Sequence, residues 1–115
     1  MSKMNPELKA KWLEALRSGK YTQARGQLHK PHEGYCCLGV LCDIYRKETG
    51  RGKWDDRVFL ATCNDMSSSD LPYTVMRWAE LDDTNPVLGR TLVASKLNDT
   101  GKSFNFIADR IEKYL

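Results

Sequence analysis

Tyr35–Gly50, YCCLGVLCDIYRKETG, is a helix-length segment closing on a glycine, and its reading decides how the rest of the chain must be arranged. At helical spacing Tyr35, Leu38, Cys42 and Tyr45 follow one face, while Cys37, Val40, Leu41 and Ile44 fill most of the remainder. A helix that is apolar nearly all round belongs in the middle of a core, with other elements packed about it. Gly39 lies inside the segment and costs about 1 kcal/mol of helix propensity against alanine. A close helix or backbone crossing at Gly39 is the expected compensation.

Working outward, Asn5-Pro6 pairs an N-cap with a proline at the first helical position. Leu8, Trp12, Leu13 and Leu16 then recur at helical spacing until Ser18-Gly19, which predicts an amphipathic first helix. Residues 20–34 mix turn formers with at most a single edge strand over Gln23–Leu28. After a loop at Arg51–Lys53, Arg57–Cys63 (RVFLATC) is the best strand candidate. Asn64–Asp70 (NDMSSSD) is polar and serine-rich and is expected to be mobile or disordered. Leu71-Pro72 opens another helix, with Val75, Trp78, Ala79 and Leu81 inward, which Asn85-Pro86 breaks. Leu92–Leu97 fits a short helix or a strand equally well. Ser103 caps a last helix whose Phe104, Ile107, Ala108 and Ile111 form a clean stripe. The expectation is one α+β domain over residues 1–115, with about four helices and a small antiparallel sheet.

Composition excludes several classes. With 115 residues, 41% hydrophobic and 29% charged, the chain has the make-up of one globular domain rather than a fibrous or disordered protein. No apolar run approaches the roughly 20 residues that cross a bilayer. The N-terminus MSKMNPELKAKW lacks the apolar stretch of a signal peptide, so the cytoplasm is the expected compartment and no membrane partner is expected. Eighteen Lys and Arg against 15 Asp and Glu leave +3 overall. The excess is concentrated in residues 1–34, with seven cations against three acids. Such a basic third suits a phosphate-bearing partner, although solvated lysines on a first helix account for it as well. The balance is too even for a dedicated DNA binder.

Cys36, Cys37, Cys42 and Cys63 are read first as structural thiols, because free cysteine packs as a small hydrophobe. His29, His32, Cys36, Cys37 and Cys42 fall within 14 residues, but their spacing on an apolar helix and a lysine-flanked loop is not that of a zinc site. No motif calls for a cofactor or a metal. A catalytic alternative places Cys36 or Cys37 near a helix N-terminus, where the dipole lowers a thiol pKa. His29 or His32 would then act as base, with Asp43 or Asp99 to orient it.

Arg25-Gly26-Gln27 is the stronger candidate for function. An arginine beside a flexible glycine presents a fork of donors to phosphate or carboxylate, with a backbone amide to add. Arg17, Lys20 and Lys30 are candidates for supporting charge. An ordinary turn, or an arginine paired with an acid on the last helix, is the plain alternative. Trp12 and Trp78 lie on inward faces. Trp54, between Lys53 and Asp55-Asp56, has no periodic reason for burial, and with Tyr35 it is a candidate platform for a ligand base or an interface anchor. The final run LVASKLNDTGKSFNFIADRIEKYL has the look of the first two helices of a helix-turn-helix domain. The chain stops where the reading helix would begin, so packing of Ile107 and Ala108 is expected rather than groove readout.

The ordered set KWLEALRSG (11–19), RGQL (25–28), YCCLGVLCD (35–43), LPYTVMRW (71–78) and LNDTGKSFNFIADRIE (97–112) resembles a family of small proteins encoded by tailed bacteriophages and prophages. The likeness spans nearly the whole chain. It implies a phage or prophage origin and action in the host cytoplasm during infection, and it carries over no site residues. By analogy with small phage accessory proteins, the expected function is non-enzymatic: sequestering a small anionic, nucleotide-like host signal to counter host defence. The ligand-binding residues would be Arg25, Gly26, Gln27, Tyr35 and Trp54. The alternatives are inhibition of a host protein and a cysteine-dependent enzyme using Cys36 or Cys37. A chain this small has little interior for a ligand, so a pocket between copies in a homo-oligomer is the natural geometry.

Overall fold

The computed structural model describes residues 4–89 and 92–115. It is built around α2 (Cys37–Thr49), in which every residue from Cys37 to Tyr45 is buried. Packed against α2 are α1 (Pro6–Arg17), α3 (Tyr73–Trp78) and α4 (Ala94–Asp99), and α5 (Phe104–Tyr114) lies across α1 and α4. Two small antiparallel sheets complete the α+β fold. One joins β1 (His29–Lys30) to β2 (Gly34–Tyr35); the other has the order β3 (Lys53–Asp55), β4 (Val58–Thr62), β5 (Asp65–Ser67).

The local signals act as their chemistry dictates. Asn5 Oδ1 accepts from the Glu7 and Leu8 amides and starts α1, while Ser103 Oγ accepts from the Phe106 amide and starts α5. Trp12 is fully buried and donates its indole N–H to the Cys37 carbonyl at 2.9 Å, tying α1 to α2. Ile107 and Ala108 are buried, as packing of α5 requires. The crossing expected at Gly39 is present: a Cβ there would sit 1.9 Å from the Leu28 carbonyl oxygen. That is less than any carbon–oxygen contact allows, so the chain leading into the first hairpin rests directly on α2.

Four expectations need correction. Tyr35 is not on the helix. Its amide donates to the Thr22 carbonyl and its carbonyl accepts from the Ala24 amide, so its backbone belongs to a sheet, and Cys36 becomes the N-cap, with its sulfur accepting from the Gly39 amide. The edge strand expected over Gln23–Leu28 reduces to one parallel bridge between Gln23 and Tyr35, because Gly26 turns the chain at φ +89°. The paired strand follows at His29–Lys30. Asn64–Asp70 is not disordered: Asp65–Ser67 pairs with β4, Asp65 accepts from the Tyr73 and Thr74 amides, and Ser67 Oγ accepts from the Ser69 and Asp70 amides. Here short polar side chains satisfy backbone that the composition suggested was loose. Lastly, α3 ends at Trp78, well before Asn85-Pro86. Glu80 turns left-handed at φ +60°, and the Glu80 and Leu81 amides close on the Arg77 and Met76 carbonyls in a Schellman arrangement. Leu92–Leu97, open between helix and strand, resolves into the bridge Val87–Val93 followed by α4, which makes five helices among the described residues.

Candidate functional site

The β1–β2 hairpin sets His29 opposite Tyr35, and β3 brings Trp54 beside them. The imidazole and phenol centres are 4.6 Å apart, and the indole lies 5.2 Å from His29 and 5.6 Å from Tyr35. Tyr21 meets Tyr35 edge-on at 5.2 Å, and Phe59 backs Trp54 at 4.8 Å. His29, Tyr35 and Trp54 are each half-buried. The result is a ring cluster at the surface, built by cross-strand pairing of aromatic side chains.

Beneath it lies the carboxylate of Asp43, only 2% exposed. Its Oδ1 accepts from Trp54 Nε1 at 3.1 Å and from Arg46 Nε and Nη2 at 3.1 and 3.0 Å. Its Oδ2 accepts from the Tyr21 hydroxyl at 2.7 Å, and the Lys47 ammonium stands 3.4 Å away. Burial pushes this carboxyl up, but hydrogen bonds from Tyr21, Trp54 and Arg46, with the charge of Arg46, outweigh it and hold it below the usual carboxylate range. Asp43 therefore stays ionised and fixes both the indole and the Tyr21 phenol. Burial raises the Tyr35 phenol, and the charge of Asp43 adds to that rise, so Tyr35 remains a neutral ring.

His29 Nδ1 lies 2.9 Å from the Asp56 carbonyl oxygen. A carbonyl only accepts, so Nδ1 carries the proton and Nε2 is left as an acceptor in the neutral ring. Asp56 holds this position in the left-handed region at φ +57°, where aspartate is tolerated better than most residues. Next to this loop, Arg57 Nη1 donates to Gln27 Oε1 at 2.7 Å. Gln27 is thus an orienter of Arg57.

The five expected binding residues fall into two groups. Tyr35 and Trp54 meet in the ring cluster, and Gln27 reaches its edge through Arg57. Gly26 is pinned elsewhere, its amide donating to Asp99 Oδ1 at 2.8 Å. Arg25 is exposed and extends toward the α4–α5 turn, where a Cβ on Gly101 would meet its Nη2 at 4.0 Å. Of the supporting cations, Lys30 lies over the loop, with its Nζ 3.8 Å from where a Gly26 Cβ would stand. Arg17 is committed to Asp109 and Glu112 at 2.7 and 2.8 Å. Lys20 faces a separate cleft between α1 and α2, shared with Tyr21 and Lys47.

The cysteine geometry runs against an activated thiol. Cys36 is buried at the start of α2, and burial pushes its thiol up to about 11, more than the Gly39 and Leu38 amides bring it down. Cys37 and Cys42, completely buried, are raised well above the ordinary thiol value as well. Neither Asp43 nor Asp99 bonds a histidine: Asp43 is engaged as above, and Asp99 accepts from Gly26 and Asn98. Cys63 is exposed, so three of the four cysteines are core thiols. Among the described residues no three His, Cys, Asp or Glu side chains are grouped to hold a metal ion.

Arg57 was not singled out in the sequence, and Asp43 and His29 were named there only for the cysteine-dependent alternative, not as parts of a ring cluster. One signal existed for Asp43: an aspartate within the most apolar stretch of the chain, three and four residues before Arg46 and Lys47. No such signal marks His29 or Arg57, which join the site only through strand pairing and loop closure.

Neither a curated protein nor a solved structure matches the chain. One family profile, described as "Domain of unknown function (DUF8296)", matches residues 4–115. That match covers nearly the whole sequence, including every element that builds the ring cluster and its support, and the chain belongs to the DUF8296 family.

Proposed function

We propose that this protein is a non-enzymatic binder of a small anionic, nucleotide-like ligand. In this reading it is encoded by a phage or prophage and sequesters a host signal in the host cytoplasm. The observation that carries the reading is the cluster of His29, Tyr35 and Trp54, half-exposed and pinned from below by Asp43, with Arg57 at its border and Lys30 over the neighbouring Gly26 loop. Pre-positioned rings favour stacking of a base, since little side-chain freedom is lost on binding. Cations beside them suit a phosphate. Arg25 lies further along the same loop and takes a second anionic group. The buried, neutral thiols favour binding over cysteine chemistry.

Calorimetric titration with nucleoside monophosphates and cyclic dinucleotides tests this, with native mass spectrometry of protein from a bacterial host to reveal a retained ligand. Arg25→Ala is expected to weaken binding by about 1.5–3 kcal/mol if its contact is charge-assisted. Trp54→Ala should weaken it by about 1–3 kcal/mol through lost stacking. Full binding by a folded Arg25→Ala variant removes Arg25 from the site. Absence of any nucleotide binding, together with a stable host-protein complex, would favour the inhibitor reading.

A further inference from the structure

Seven arginines lie in the described residues, and four of them are already engaged. Arg17 pairs with Asp109 and Glu112, Arg46 with Asp43 and Arg57 with Gln27, and Arg110 donates to the Leu88 carbonyl. Arg25, Arg51 and Arg77 have no hydrogen-bond or ion-pair partner for their guanidinium groups among the described residues. Two of these three share one cleft. It is an open space of about 520 Å³ between the C-terminal end of α2 and α3, lined by Tyr45, Thr49, Arg51, Thr74, Arg77 and Trp78.

The free groups of this cleft are donors. Tyr45 is only 4% exposed, yet its hydroxyl has no partner among the described residues. No buried side-chain oxygen or nitrogen of these residues goes unpaired, so that hydroxyl keeps contact with solvent. The indole N–H of half-buried Trp78, whose ring packs edge-on against Tyr45 at 5.2 Å, is open in the same way. The threonines are already used. Thr49 Oγ1 donates to the Tyr45 carbonyl and accepts from the Arg51 amide, which holds the Arg51 backbone, and the Thr74 amide and hydroxyl bond Asp65. Asp65 feels the charge of Arg77, but its two oxygens are taken by the Tyr73 and Thr74 amides and it does not line the cleft. Glu48, beside Thr49 in the chain, is bound to Lys11 of α1. Two guanidinium groups, a hydroxyl and an indole N–H therefore meet with no acid among the lining residues.

We propose that this cleft binds the phosphate group of a small phosphorylated molecule through Arg51, Arg77, the Tyr45 hydroxyl and the Trp78 indole N–H. A phosphate monoester carries a charge of about −1.5 to −2 at neutral pH and three strong acceptor oxygens, which match two free cations and two neutral donors. A carboxylate brings a single charge and two oxygens, and leaves one of the two cations unmatched. The cleft shares no residue with the ring cluster, and the proposal does not depend on the ligand reading made for that cluster.

Nitrogen-15 NMR of the full chain, titrated with phenyl phosphate at constant ionic strength, reads the outcome at the indole N–H signals of Trp12, Trp54 and Trp78. The Trp78 signal is expected to shift saturably while those of Trp12 and Trp54 stay in place. Arg51→Ala and Arg77→Ala should each weaken binding by about tenfold or more, because each removes a charge-assisted contact. Tyr45→Phe keeps the packed ring and should weaken it by about threefold or more through the lost hydroxyl. Benzoate, which presents the same ring on a carboxylate, should bind about tenfold more weakly than phenyl phosphate. Both arginines are exposed, and circular dichroism confirms folding of each variant. A Trp78 signal that does not saturate at millimolar phenyl phosphate overturns the proposal, as does full binding by the R51A/R77A double variant. Benzoate binding as tight as that of phenyl phosphate overturns it in favour of a carboxylate ligand. A shift of Trp54 without Trp78 overturns it as well, and assigns the phosphate to the ring cluster instead.

Discussion

Asp43 concentrates more of the site's chemistry than any other residue. Removing its carboxylate strands the Tyr21 hydroxyl and the Trp54 indole N–H and leaves two cations without their partner. Asp43→Ala is expected to cost about 2–4 kcal/mol as read by urea denaturation, mainly from the two donors left unpaired, because Arg46 and Lys47 are exposed enough to rehydrate. The four thiols offer a second test at this scale. In the folded protein only Cys63 is exposed, so maleimide should label one site natively and four after denaturation, with mass spectrometry reporting the count. Rapid native labelling of Cys36 or Cys37 would revive the catalytic reading. Gly39 was legible in the sequence as a crossing point because glycine inside an apolar helix has few other uses. The ring cluster was half legible: Trp54 lacked a periodic reason for burial, but nothing in its neighbourhood pointed to His29, which comes from another sheet.

At the scale of elements, the capped helices follow their written signals, and of the strands only β4 (Val58–Thr62) does, inside the expected Arg57–Cys63. Asn5, Ser103 and Gly50 start or stop helices through local bonds that the sequence alone specifies. The two-residue strands β1 and β2 have no periodicity to read, and they exist because Thr22, Ala24 and Leu28 offer partners to the backbone of Tyr35 and Cys36. Asn98 is the latch between these parts. Fully buried on α4, it accepts from the Cys37 amide and Gln23 Nε2 and donates to the Ala24 carbonyl, so it holds the Arg25 loop to two helices. Asn98→Ala leaves three polar groups short of a partner and should cost about 3 kcal/mol. Hydrogen exchange at Ala24 and Gly26 should quicken as the loop loosens. Unchanged exchange there would mean that Asp99 alone anchors the loop.

For the molecule as a whole, the titrating groups set a pH window. Asp43 and Asp65 are both pushed up by burial, but the hydrogen bonds they accept, from Tyr21, Trp54 and Arg46 for the one and from Thr74 and Tyr73 for the other, hold both below their ordinary 3.8. Their contribution is complete above that unfolded value and is lost as pH falls through the folded one. Asp70, raised by burial and by Asp83, opposes this in part. On the alkaline side the buried thiols are raised above 9.0, Cys36 to about 11. Groups raised in the folded state stabilise below their unfolded pKa and lose that contribution as pH rises through the folded one. Thermal melting should therefore show a plateau from about pH 5 to about pH 8.5, with Tm falling on both sides. An unchanged Tm at pH 10 would mean that the three thiols are not buried as described.

Periodicity and capping residues were enough to read the α+β class, the central helix with its crossing at Gly39, the first and last helices with their caps, and the inward stripe of the last helix. These depend on periodicity and on bonds between neighbours a few residues apart, which a linear pattern records. The tertiary structure alone decided which loops become strands, that Asn64–Asp70 is ordered, and that Arg17 pairs with the last helix. It also decided that Trp54, Tyr35 and His29 share one support in Asp43 while Arg25 lies apart from them. Most of these rest on partners from six positions away (His29 and Tyr35) to 95 (Arg17 and Glu112), where side-chain chemistry is the same for many pairings and only the packed backbone selects one.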